Sequence, residues 1–115
     1  MNPAHRVKIL LVDDKRENLI ALESLVRDQS TEIFKARSGR EALELLLEHK
    51  FALALLDVQM PEINGFELAE LMRGSDRTKS IPIIFVTAGA IDSAHTFKGY
   101  EAGAVDFLYK PLDPR

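Results

Sequence analysis

Phe51-Ala52-Leu53-Ala54-Leu55-Leu56-Asp57 decides how this chain folds. Six apolar residues run without the polar alternation of a half-exposed strand, and an acid stops the run. A strand apolar on both faces needs cover on both faces, which places it inside a parallel sheet flanked by helices. The surrounding sequence agrees. Val7-Lys8-Ile9-Leu10-Leu11-Val12 is a second short, β-branched apolar run, ending at Asp13-Asp14. Thr31 to Ala36, Pro82 to Thr87 and Val105 to Tyr109 read as three more strands, the last stopping at Lys110-Pro111.

Helical patterns fill the intervals. Lys15 to Asp28 carries apolar residues at 19, 22, 25 and 26. Asp14 with Glu17 has capping-box spacing, Asp standing in for Ser or Thr. Ser38 and Glu41 repeat that signature and open a Leu-rich helix to about His49. Gln59 to Gly65 is a loop punctuated by Pro61 and Asn64-Gly65, followed by a short helix from Phe66 to Arg73 and a polar loop from Gly74 to Ser80. Ile91 to about Ala102 is a weak helix containing Gly99.

Five alternations with apolar strands predict a doubly wound α/β domain, a five-stranded parallel sheet covered on both faces. Right-handed crossovers leave few topologies. In such sheets a ligand site lies beyond the carboxyl ends of the strands, at the switch point of strand order. Strand one ends in Asp13 and Asp14, strand three in Asp57, strand four in Thr87 and strand five in Lys110. An order of 2-1-3-4-5 would bring these into one pocket. Taken singly, Asp14 could merely cap a helix, Asp57 could form a turn, and Thr87 and Lys110 could be ordinary strand-end residues. Their coincidence at one edge is harder to explain that way. Three close carboxylates cannot all stay ionised without a cation, and a hard divalent metal with oxygen ligands suits them. An Asp can act as a nucleophile that forms an acyl phosphate. The residues alone therefore suggest Asp57 as phosphate acceptor, Asp13 and Asp14 as metal holders, and Thr87 and Lys110 as phosphate contacts.

Composition sets outer bounds. The 115 residues suit one domain, taken as 1–115, with 46% hydrophobic and 29% charged residues. Fifteen Lys and Arg against eighteen Asp and Glu give a net charge of -3, which offers no support for direct nucleic-acid or membrane binding. There is no cysteine, which excludes disulfides and thiol chemistry. No signal-peptide pattern or membrane-spanning run is present in the sequence, and a cytoplasmic location is the expectation.

These segments resemble the receiver domain of two-component response regulators, in a flavodoxin-like fold of strand order 2-1-3-4-5. The resemblance is carried by Lys8 to Asp14, Leu55 to Pro61, Asn64-Gly65, Ile83 to Ala88 and Gly103 to Pro111, in the right order across nearly the whole chain. It implies that Asp57 takes a phosphoryl group from a sensor histidine kinase or phosphotransfer protein. It implies Mg2+, or Mn2+ in its place, on Asp14, Asp57 and the Gln59 backbone carbonyl, with Asp13 acting through water. Thr87, Ala88 and Lys110 would bind phosphoryl oxygens, and Pro111 would be cis. Thr87 and Phe107 would form a switch that alters the surface of the fourth helix and fifth strand, which is also where a dimer could form. The resemblance makes the domain regulatory and not an enzyme in its own right. Gln59 and Gly89, each two residues after a site residue, occupy positions that influence acyl-phosphate lifetime in the family.

Three rivals fit less well. A phosphatase of the haloacid-dehalogenase type needs a second Asp two residues after its nucleophile, where this chain has Gln59. A flavin module needs a phosphate loop where Asp13-Asp14 would repel phosphate. A receiver-like module acting only by protein contact would have lost part of the acidic set. The output domain or target is not readable, and the domain could be free-standing, the front of a longer regulator, or part of a hybrid kinase. A fifth helix is expected after strand five, on the face of the first, and the sequence predicts that it is missing or truncated.

Overall fold

A computed structural model describes residues 6–88 and 104–110. The positions of the expected fourth helix, of Gly89, of the expected fifth helix and of Pro111 with its peptide bond lie outside the described residues. The described residues form eight elements in the expected order: β1 (Val7–Val12), α1 (Arg16–Val26), β2 (Thr31–Ala36), α2 (Gly39–Glu48), β3 (Leu53–Asp57), α3 (Gly65–Arg73), β4 (Ile83–Ala88) and β5 (Ala104–Lys110). All neighbouring strands pair in parallel, in the order β2-β1-β3-β4-β5.

The apolar strands bury both faces. Leu10, Val12, Ala54, Leu56, Phe85 and Phe107 face α2 and α3, meeting Ala42, Leu46, Phe66, Leu68 and Met72. Ile9, Leu11, Leu55 and Val86 face α1, meeting Leu19 and Leu22. Each fully buried Leu on these faces contributes roughly 2 kcal/mol of transfer free energy. The expected α1 stripe needs one correction. Leu19 and Leu22 are buried and Val26 packs against them, but Leu25 is 42% exposed. At 100° per residue Leu25 falls at the margin of the stripe, beyond the reach of the sheet.

The helix starts differ from expectation in an informative way. Asp14 does not cap α1: the N-cap is Lys15, with no side-chain cap bond. Asp13 Oδ1 accepts the Lys15 N–H at 2.9 Å, which leaves the Asp14 carboxylate free to line the pocket beyond the strands. At α2, Ser38 Oγ accepts from the Glu41 N–H at 3.1 Å, while Glu41 Oε1 accepts from Arg37 N–H at 2.8 Å and not from the cap residue. The complete capping box is at α3, where Asn64 and Glu67 accept each other's backbone N–H, both at 2.9 Å.

The β3–α3 connection is tightly built. Glu62 turns the chain in the left-handed region at φ 68°, unusual for a residue with a side chain. Gly65 then passes so close to β3 that a Cβ there would lie 2.3 Å from the Asp57 carbonyl oxygen. After α3, Arg73 Nη1 donates to the carbonyls of Lys79 and Ile81, each at 2.8 Å, and leads the chain into β4.

Candidate functional site

Four strand ends form the site. Asp13 follows β1, and Asp57 closes β3 next to Val86 of β4. Ala88 of β4 pairs with Lys110 of β5. Side-chain oxygens of Asp13, Asp14 and Asp57 lie within 4.8 Å of one another. Asp13 is fully buried, Asp57 is 2% exposed, and Asp14 is half-buried. Lys110 Nζ reaches between two of them, 3.0 Å from Asp13 Oδ2 and 3.2 Å from Asp57 Oδ1. Asp14, Asp57, Gln59, Ala88 and Lys110 line an open pocket of about 560 Å³ together with Lys15, Glu17 and Asn18.

One ammonium facing three acids does not balance them. Burial first, and then the neighbouring Asp13 charge, push the Asp57 carboxyl up to about 6, against the opposing pull of Lys110 and of the Gln59 N–H. Burial alone would lower the Lys110 ammonium; the Asp13 and Asp57 carboxylates outweigh it and hold Lys110 above its ordinary value. This donor set of hard oxygens with surplus negative charge fits a divalent cation.

Thr87 is 2% exposed at the end of β4, in register with Tyr109. Phe107 pairs with Phe85, one step earlier on the same face, and its ring is tilted against Phe85 with centroids 5.6 Å apart. Phe85 meets Phe66 of α3 at 4.8 Å.

Residues 9–115 match the family profile of the response regulator receiver domain. The chain belongs to that family. This receiver is 39% identical over 112 residues to a Vibrio cholerae protein named "Probable cyclic di-GMP phosphodiesterase", covering 97% of the chain and 25% of that protein. It is 37% identical over 108 residues to the transcriptional regulatory protein SrrA of Staphylococcus aureus, covering 94% of the chain and 43% of SrrA. The chain thus spans less than half the length of these curated relatives. Among solved structures, the Vibrio cholerae chemotaxis protein CheY4 superposes with a TM-score of 0.86 at 29% identity, over 95% of this chain and 90% of that one. Receiver domains are regulatory domains of two-component signalling. They bind Mg2+ at an acidic pocket, and they work with histidine kinases or phosphotransfer proteins and with output domains. No helix among the described residues is long and apolar enough to cross a membrane.

The three acids and Lys110 of this receiver are legible in its sequence; two supporting side chains emerge only in the structure. Asn18 Nδ2 donates to Asp13 Oδ1 at 3.3 Å, and Arg37 Nη2 donates to the Asp14 carbonyl at 3.1 Å. Asn18 was findable: the first turn of α1 begins at the strand end, so a polar residue there faces the acids. Arg37 comes from across the β1–β2 pair, and nothing in its local sequence signals that reach.

Proposed function

We propose that Asp57 accepts a phosphoryl group from a phosphohistidine on a sensor histidine kinase or phosphotransfer protein, in a Mg2+-dependent reaction. The observation that carries this reading is the buried Asp57 carboxylate gathered with Asp13, Asp14 and the Lys110 ammonium beyond the strand ends. An Asp57 oxygen forms the new P–O bond as the P–N bond breaks, and the departing imidazole takes up a proton. Asp14, Asp57 and the Gln59 backbone carbonyl would hold the metal, with Asp13 acting through water. When bound, Mg2+ neutralises phosphoryl charge and polarises the phosphorus for attack.

Lys110, already bonded to Asp57, pairs with one phosphoryl oxygen of the product. The Thr87 hydroxyl and the Ala88 backbone serve the others. Thr87 then couples to Phe107, one diagonal step away on the same face of the sheet. The Phe107 ring lies inward against Phe85, and phosphorylation would hold it there. The consequence reaches a target or output domain elsewhere, as a local electrostatic change read by a bistable element.

Acetyl phosphate tests the chemistry without the kinase. With Mg2+, intact-mass measurement should find one phosphoryl adduct on the wild-type chain and none on Asp57→Asn with its fold preserved. An adduct on the folded variant would assign the acceptor elsewhere. Chelating the metal should suppress the wild-type adduct.

A further inference from the structure

A second concentration of charge lies at the opposite edge of the sheet, where β1 begins and α2 ends. Arg6, Lys8, His49, Lys50, Phe51 and Arg77 line a wide-open depression of about 480 Å³, a volume within the range of small-ligand sites. Two of its cations are anchored. Lys8 Nζ lies 3.0 Å from His49 Nδ1 and 5.6 Å from the centroid of the Phe34 ring. An ammonium has only donors, so it gives that bond to the ring nitrogen, and the imidazole proton sits on Nε2. Arg77 Nε donates to the Leu46 carbonyl at 3.1 Å, which fixes its guanidinium beside the end of α2. Phe34 packs on His49 at 4.4 Å and on Phe51 at 5.4 Å, a rigid aromatic floor.

Among the described residues, no carboxylate pairs with Arg6, Lys8, Lys50 or Arg77. The one acid on the lining, Glu48, is 72% exposed and leans on His49 Nε2 at 3.9 Å. In a chain of net charge -3, four cations without a carboxylate partner, against one acid on the same lining, are a net positive field.

We propose that this depression binds a small polyphosphate, free or esterified, with Lys8 and Arg77 as its anchored donors. Four cations on one lining exceed what a single monoanion would neutralise, and guanidinium and ammonium groups are the usual partners of phosphate oxygens. The site is remote from Asp57: β1 alone separates the two edges by six residues, about 20 Å of strand.

Amide NMR of the uniformly labelled chain tests this, at constant ionic strength and without Mg2+. Inorganic pyrophosphate should shift the amides of His49, Lys50 and Phe51 saturably and leave Asp57 and Gln59 unmoved, since bare carboxylates repel it. Lys8→Gln and Arg77→Gln should each weaken binding about tenfold or more, the loss of one charge-assisted contact. The same spectra report whether each variant is folded, and the exposed Lys50→Gln serves should Lys8→Gln unfold. Adenosine diphosphate binding more tightly than pyrophosphate would identify an esterified ligand; equal affinity would identify the free one. Linear unsaturated shifts, saturation elsewhere, or unchanged affinity in the folded variants would overturn the proposal.

Discussion

Asp57 is held where its charge is costly. A carboxyl moved from 3.8 to about 6 costs the metal-free fold about 2–3 kcal/mol at neutral pH. Between those values the folded chain binds more protons than the unfolded one, so stability falls as pH rises from about 4 through 6. Asp57→Asn removes that cost. In metal-free urea unfolding the variant should be more stable than wild type by about 2 kcal/mol at pH 8, and the gap should close near pH 4. A gap independent of pH would mean that burial of the Asp57 charge is not its cause. Lys110 was legible as a site residue because it ends a strand at the same edge as the acids. That the three acids could not all stay ionised was legible from their convergence; that Asp57 carries the shift was not, because it depends on the depth of the strand end and on Asp13 across the β1–β3 pair.

The elements were legible almost throughout. Apolar runs placed β1, β3 and β4, because strands buried on both faces leave little ambiguity between core and solvent; β2, at the sheet edge, is a mixed sequence with only Ala36 buried. The errors gathered at helix starts, where short polar residues compete for the same backbone donors. Asp14 has the right type and spacing to cap α1, yet Asp13 takes the Lys15 N–H, and only three-dimensional placement decides between adjacent acids. Asn64-Gly65 has the composition of loop punctuation, yet Asn64 caps α3 and Gly65 lets that helix press against β3. Its Cβ would meet backbone atoms of Asp57 and Val58, which cannot yield as a flexible side chain could. Gly65→Ala should therefore cost about 3 kcal/mol in chemical unfolding, far more than an alanine normally gains inside a helix. A neutral result would show that α3 can slide away from the acceptor strand.

At the scale of the molecule, the described residues divide charge between two ends of the sheet: an acid cluster beyond the carboxyl ends, cations without carboxylate partners at the other. The proposed Mg2+ site implies that the ion binds the folded chain and not the unfolded one. At a hundred times its dissociation constant, Mg2+ should stabilise the wild type by about 2.7 kcal/mol in thermal or urea unfolding. Asp14→Asn and Asp57→Asn should lose most of that increment. Equal stabilisation in the variants would place the ion away from the pocket. The aromatic contacts from Phe107 through Phe85 to Phe66 tie β5, β4 and α3 into one packed row. Swinging the Phe107 ring out to solvent would leave a void of roughly benzene size, ~150 Å³, at a cost of about 3–4 kcal/mol. Fewer than about one molecule in a hundred would then hold the ring outward, unless another side chain moved in to fill the space beside Phe85.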